Sequence, residues 1–171
     1  MKAIWKRIHA WLEANAPAGY GHLRPGATAE ALRAAEEAMG LKLPGDVRAS
    51  YRIHDGQRNE PGLIGGEGWR LFSLQEMVKQ WRRWSRSDPR NARCVPVAWG
   101  GAGDHVFLNL DPGADLADRL MVQRRDSAEP DPVAPSFRSW LEDFADQLEE
   151  DEFAYSEDHG CIMYADELDL D

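Results

Sequence analysis

Phe72-Ser73-Leu74-Gln75-Glu76-Met77 is the stretch from which the rest of the chain can be read. Ser73 followed three residues later by Glu76 is a capping box: the serine hydroxyl accepts from the amide of Glu76, and the glutamate reaches back to the serine amide. Phe72 and Met77 flank it as a hydrophobic staple. The spacing predicts a helix from Leu74 to Ser85 or beyond, with Met77, Val78, Trp81 and Trp84 on or near one face. The basic and aromatic stretch Trp81–Arg86, extended by Lys79, Arg90 and Arg93, is what a nucleic-acid surface can look like, but that tryptophan face reads as core, which leaves the arginines on the solvated side.

Upstream of this helix the apolar period is helical. Ile4, Trp5, Ile8, Trp11 and Leu12 share one face of a first helix over Ala3–Ala14, and a loop rich in Pro and Gly follows from Asn15 to Ala27. Thr28 caps a helix bearing Leu32, Ala35 and Met39, which Gly40 stops in a left-handed conformation. A short third helix starts near Pro44, turns Val47 and Tyr51 inward and ends near His54.

Downstream the period changes to two. Cys94–Trp99 reads as a strand whose Pro96 hints at an edge or a strand start. Gly100–Asp104 reads as a turn, His105–Leu110 as a second strand stopped by Asp111-Pro112-Gly113, and Arg119–Arg125 as a third. Past the prolines 130–135, Ser136 caps a helix with Phe137, Trp140, Leu141, Phe144 and Leu148 on one face. Helices, then an antiparallel meander, then a closing helix make an α+β fold: one domain over residues 1–171, with a mixed, mostly antiparallel sheet flanked by helices.

The chain has 171 residues, 43% hydrophobic and 29% charged, as in an ordinary globular domain. No apolar run approaches the roughly 20 residues that span a bilayer, and the charged N-terminus lacks a secretory apolar core, so the expected location is the cytoplasm, away from the membrane. Two distant cysteines, Cys94 and Cys161, form neither a disulfide framework nor a zinc pattern and read as small core residues. The net charge of −10 is concentrated: Glu149–Asp171 holds ten carboxylates and no Lys or Arg, which leaves residues 1–148 formally neutral. Such an end repels phosphate backbones and suits a basic protein surface. Residues 149–171 are read as an acidic segment docked on the body or partly flexible.

No constellation carries chemistry. His54-Asp55 resembles the start of a metal-dependent phosphohydrolase site, but no supporting ligands stand at a suitable spacing, and a turn before Gly56 is simpler. Gly100-Gly101-Ala102-Gly103 leads into a strand rather than a helix and so reads as a hairpin turn, not a phosphate cradle. Asp104, Asn109 and Asp111 do not form an acid–base pair, since Asp111 initiates a turn. The serines sit at caps, with no nucleophile elbow. Catalytic residues, metal ligands and cofactors are therefore expected to be none. Of the seven tryptophans, Trp69 and Trp99 lie beside glycines and are the candidates for exposed anchors.

Four stretches, in order, resemble the Smi–Knr family of the SUKH superfamily. They are Leu43-Pro44 through Tyr51 to Asp55-Gly56-Gln57; Leu71-Phe72-Ser73-Leu74-Gln75-Glu76; Pro96-Val97-Ala98 through Gly103-Asp104 to Leu110-Asp111-Pro112; and Ala134-Pro135-Ser136-Phe137 to Trp140-Leu141. The resemblance covers about residues 28–150. Asn109 departs from it, standing where the family often has Asp. The resemblance implies an α+β fold and a non-enzymatic binding role. That role is either an immunity protein neutralising a basic nuclease- or deaminase-type toxin domain, or a regulatory scaffold of the cell-wall-regulator type binding a host protein. The partner-binding residues expected on this reading are Asp55, Gln57, Glu67, Trp69, Asp104, Glu157 and Asp158.

Overall fold

The computed structural model describes residues 1–58, 62–64, 68–100 and 103–168. Helix α1 spans Lys2–Asn15 and is followed by a short α2, Pro17–Tyr20, inside the stretch expected to be only loop. Pro17 at its first turn suits a helix start, and four residues leave no apolar period to detect. Helix α3, Ala29–Met39, is capped by Thr28, whose hydroxyl accepts from the Ala31 amide, and ends at Gly40 with φ 66°. Helix α4 spans Gly45–Tyr51.

Strand β1 is only Arg70–Leu71, too short for a sequence signal. Helix α5, Leu74–Ser87, begins at the capping box, with both reciprocal hydrogen bonds formed. After a short 3-10 helix, Pro89–Arg93, strands β2 (Cys94–Trp99), β3 (His105–Asn109), β4 (Leu120–Gln123) and β5 (Asp131–Ala134) complete a five-stranded sheet in the order β1-β2-β3-β4-β5. Every pairing is antiparallel. Pro96 is not on an edge strand: β2 lies between β1 and β3, and a register shift between Pro96 and Ala98 accompanies the missing amide donor. Strand β5 was hidden by Pro132 within it and Pro130 and Pro135 on either side; it lies at the sheet edge, where a residue without an amide is tolerated.

Cross-strand partners share a face, so the register sorts the sheet's two sides. Val106 faces Val122 and Leu108 faces Leu120, all in the main core with Phe137, Leu141 and Phe144 of helix α6, Phe137–Glu149. The opposite side carries His105, Phe107 and Met121, and Trp84 of α5 covers it edge-on, its ring centroid 5.1 Å from His105 and 5.7 Å from Phe107. Trp81 and Trp84 are half-buried rather than core: Trp84 lies on the sheet's outer side, and Trp81 packs at the core's margin with its indole N–H donating to the Ala92 carbonyl. Cys94 and Cys161 are likewise half-buried and free.

The acidic end forms a hairpin of β6 (Phe153–Ser156) and β7 (Cys161–Tyr164), followed by α7 (Ala165–Leu168). Phe153 and Ile162 are buried in the common core, and Phe153 packs 5.8 Å from Phe144. Arg7 of α1 clamps the end of α6 through Asp146 and Glu149.

The α5 cap and the backbone beside it make a stability test. Ser73→Ala should lower stability by about 1 kcal/mol in a denaturant melt. Gly56→Ala should cost more. Gly56 has φ 68°, and a Cβ there would stand 2.4 Å from the Phe72 carbonyl carbon. An equal or smaller loss for Gly56→Ala would refute this packing.

Candidate partner-binding site

The expected site residues fall into three places. Asp55, Gln57 and Trp69 belong to the junction between the helical half and the sheet. Asp55 Oδ1 accepts from the Leu74 amide at 2.7 Å, at the start of α5. Gln57 is fully buried, its amide donating to the Leu71 carbonyl and its Oε1 accepting from the Leu63 amide. Trp69 is 5% exposed and lies against Gly100, where an added Cβ would come within 2.8 Å of the indole. The expectation that Gln57 and Trp69 present free surface is therefore corrected: both are consumed in holding the loop to β1 and the β2 end. Glu67 lies outside the described residues.

Asp104 occupies the second place. Its carboxylate accepts from the Arg125 amide at 2.8 Å and pairs with Arg124 at 3.6 Å, tying the β2–β3 turn to the end of β4. Glu157 and Asp158 occupy the third, the exposed turn between β6 and β7. Among the described residues no hydrogen bond or ion pair joins these two to the other candidates.

The His54-Asp55 pair diverges. Asp55 turns to α5, while His54 Nε2 lies 2.6 Å from His9 Nε2 and His54 Nδ1 lies 2.6 Å from the Arg24 carbonyl oxygen. Trp5 and Tyr20 close around the two imidazoles. Among the described residues no group of three or more His, Cys, Asp or Glu is placed to hold a metal ion. Burial, and for His9 also the neighbouring charge of His54, lowers the proton affinity of both rings, against a raising effect of Glu13 on His9 and of the Arg24 carbonyl on His54.

Sequence reasoning missed a cleft on the far side of α5, lined by Arg70, Phe72, Trp84, Trp99 and His105 and about 690 Å³ in volume. The Arg70 guanidinium sits 5.3 Å from the Phe72 ring and 6.0 Å from the Trp99 ring, and bonds Glu76 of the capping box at 2.9 Å. Trp99, named as a candidate anchor, is half-buried here. Burial, with Arg83 nearby, lowers the proton affinity of His105 despite Gly103 and Asp104. Aromatic faces and cationic donors converge in this cleft, and among the described residues no carboxylate lines it. The only sequence signal was the alternation of aromatic residues in strands whose partners could not be paired in advance.

The elements and their pairing define an α+β domain with helices packed on an antiparallel sheet. Residues 26–143 match the model of the SMI1 / KNR4 family (SUKH-1), and the chain belongs to that family. Similar proteins include the mouse F-box only protein 3, 44% identical over 66 residues (38% of this chain, 14% of that protein). The Neurospora crassa glucan synthesis regulatory protein is 35% identical over 83 residues (47% and 15%). The Schizosaccharomyces pombe cell wall biosynthesis/cell cycle regulator smi1 is 27% identical over 193 residues (92% and 38%). The chain thus spans well under half the length of each of these relatives. The family match stops inside α6, so the acidic hairpin lies beyond it. Among the described residues no helix is long and apolar enough to cross a membrane.

The histidine pair gives a pH signature. In the unfolded chain the imidazoles protonate near about 6.5, whereas the folded rings resist the proton, so their contribution is full above that value and is lost as pH falls through it. The melting temperature should drop between about pH 7.5 and 5.5, and His9→Gln with His54→Gln should flatten that drop, leaving a residual slope from His105. A slope identical to wild type would show that the pair does not titrate with folding.

Proposed function

We propose that this chain is a non-enzymatic, cytoplasmic protein-binding module whose acidic C-terminal hairpin engages a basic protein surface. The observation that carries this reading is the exposure of Glu157 and Asp158 at the β6–β7 turn, in a segment from Glu149 onward without a single Lys or Arg. Opposite charge across an interface speeds association and fixes orientation. A nuclease- or deaminase-type toxin must hold a polyanion or a base, so its substrate groove is basic, and an acidic hairpin can occupy it. The finer reading is thus an immunity protein that neutralises such a toxin. A second reading, a regulatory scaffold binding a host protein, is favoured by the names of the Neurospora and fission-yeast relatives, which are regulators.

Because Phe153 and Ile162 are core residues, removing the hairpin would disturb the fold; reversing charge at its turn would not. Glu157→Lys with Asp158→Lys should leave the melting curve within about 0.5 kcal/mol of wild type. The same variant should lose the partners that wild type captures at low salt, as identified by mass spectrometry. A captured nuclease or deaminase inhibited by stoichiometric chain supports the immunity reading, and a host protein retained with its own activity intact supports the scaffold. Identical capture by wild type and variant would remove the acidic-turn mechanism from both.

A further inference from the structure

α3 and α5 lie side by side and enclose a groove of about 1060 Å³ that opens to solvent. Its floor is apolar: Ala31, Ala34, Ala35 and Ala38 from α3 meet Leu74 and Val78 from α5. Its outer wall is cationic, with Lys79, Arg82, Arg83 and Arg86 all exposed. Among the described residues none of these four side chains forms a hydrogen bond or an ion pair, in contrast to Arg7, Arg70 and Arg90. Four unpaired cations in a row on a chain of net charge −10 make a local field opposite to the global one. Among the described residues the only acid lining the groove is Asp55, beside Leu74, with one carboxylate oxygen accepting from the Leu74 amide.

We infer that this groove docks an acidic amphipathic helix of a partner protein. The alanine floor and the cationic wall both repeat at positions i, i+3, i+4 and i+7: 31, 34, 35 and 38 on the floor, and 79, 82, 83 and 86 on the wall. Each row extends about 10 Å along its helix. A third helix with apolar residues at the same spacing seats them on the alanine floor, and carboxylates on its flank meet the cations. The small alanine side chains allow its backbone to approach closely, and the Asp55 end requires an uncharged end on the partner. A nucleic-acid backbone fits less well, because a floor of methyl groups desolvates phosphate without replacing its hydrogen bonds. This surface is distinct from the β6–β7 turn and lies wholly within the family match.

The test uses a labelled synthetic helix of about 15 residues, long enough to hold helical structure, with Leu and Ala on one stripe and Glu on its flank. Its binding to the full chain is followed by fluorescence anisotropy. Controls are the same peptide with Lys for Glu, a single-stranded oligonucleotide, and sedimentation of the chain alone. The Glu peptide should bind and the Lys peptide should not. Arg82→Glu with Arg86→Glu should weaken binding at least ~10-fold and reduce its salt dependence. Ala34→Trp should block the floor and weaken binding without that change in salt response. Both variants alter exposed positions, so unchanged melting curves separate loss of the site from loss of the fold. Glu157→Lys with Asp158→Lys should leave peptide binding intact, so failure here and failure of the acidic-turn reading are distinguishable. No binding of the Glu peptide, binding that survives both groove variants, or preferential binding of the oligonucleotide would overturn the inference. So would self-association of the chain abolished by Arg82→Glu with Arg86→Glu, because the occupant would then be a second copy's acidic end.

Discussion

The hydrogen bond from the Leu74 amide to Asp55, with that from the Tyr51 hydroxyl to the Phe72 carbonyl oxygen at 2.8 Å, is the joint on which the molecule turns. Tyr51 is fully buried at the end of α4, and Phe72 stands one residue before the cap of α5. The two bonds hold the helical half against the first residues of the sheet half, and they satisfy backbone groups that would otherwise be buried without partners. Gly56 makes the joint possible: at a positive φ, and with the Phe72 carbonyl where a Cβ would stand, no other residue fits. Once α5 is anchored there, its direction places Met77 in the core and Trp84 over the outer side of the sheet.

That anchoring also sets the electrostatics. Helix α5 leaves its cations between two concavities, the groove against α3 and the aromatic cleft against β2 and β3, both of which Arg83 lines. The carboxylates accumulate in the C-terminal segment, and Arg7 pairs with Asp146 and Glu149 at the end of α6. Charge on this domain is thus segregated, cations along α5 and carboxylates in the C-terminal segment.

Much of the fold was legible because its signals are local. The Ser73–Glu76 box, the Thr28 cap, Gly40 and the Ser136 cap each act over three or four residues, so their helices begin and end where the sequence places them. The turn at Asp111 was legible for the same reason: its Oδ1 accepts from the Gly113 amide. The misreadings concern residues whose partners are remote. Pro96 read as an edge residue because nothing nearby reveals that the two-residue β1 pairs beyond it, and β5 was masked by prolines that an edge tolerates. Gln57 and Trp69 are polar or amphipathic residues beside glycines, a pattern shared by exposed contact loops and by buried junctions.

The sequence by itself determined the longer helices and the strands β2, β3 and β4, the capped helix starts, the apolar faces of α1, α3 and α6, and the acidity of the C-terminal segment. Each depends on spacing or composition over a few residues. The tertiary structure alone decided which candidate residues remain free to meet a partner. Burial of Gln57 and Trp69, the His9–His54 contact, and the pairing of α3 with α5 into an apolar groove with a cationic wall all bring together residues distant along the chain. Such contacts follow from how the helices pack on the sheet, and a local pattern of residue types carries no record of that packing.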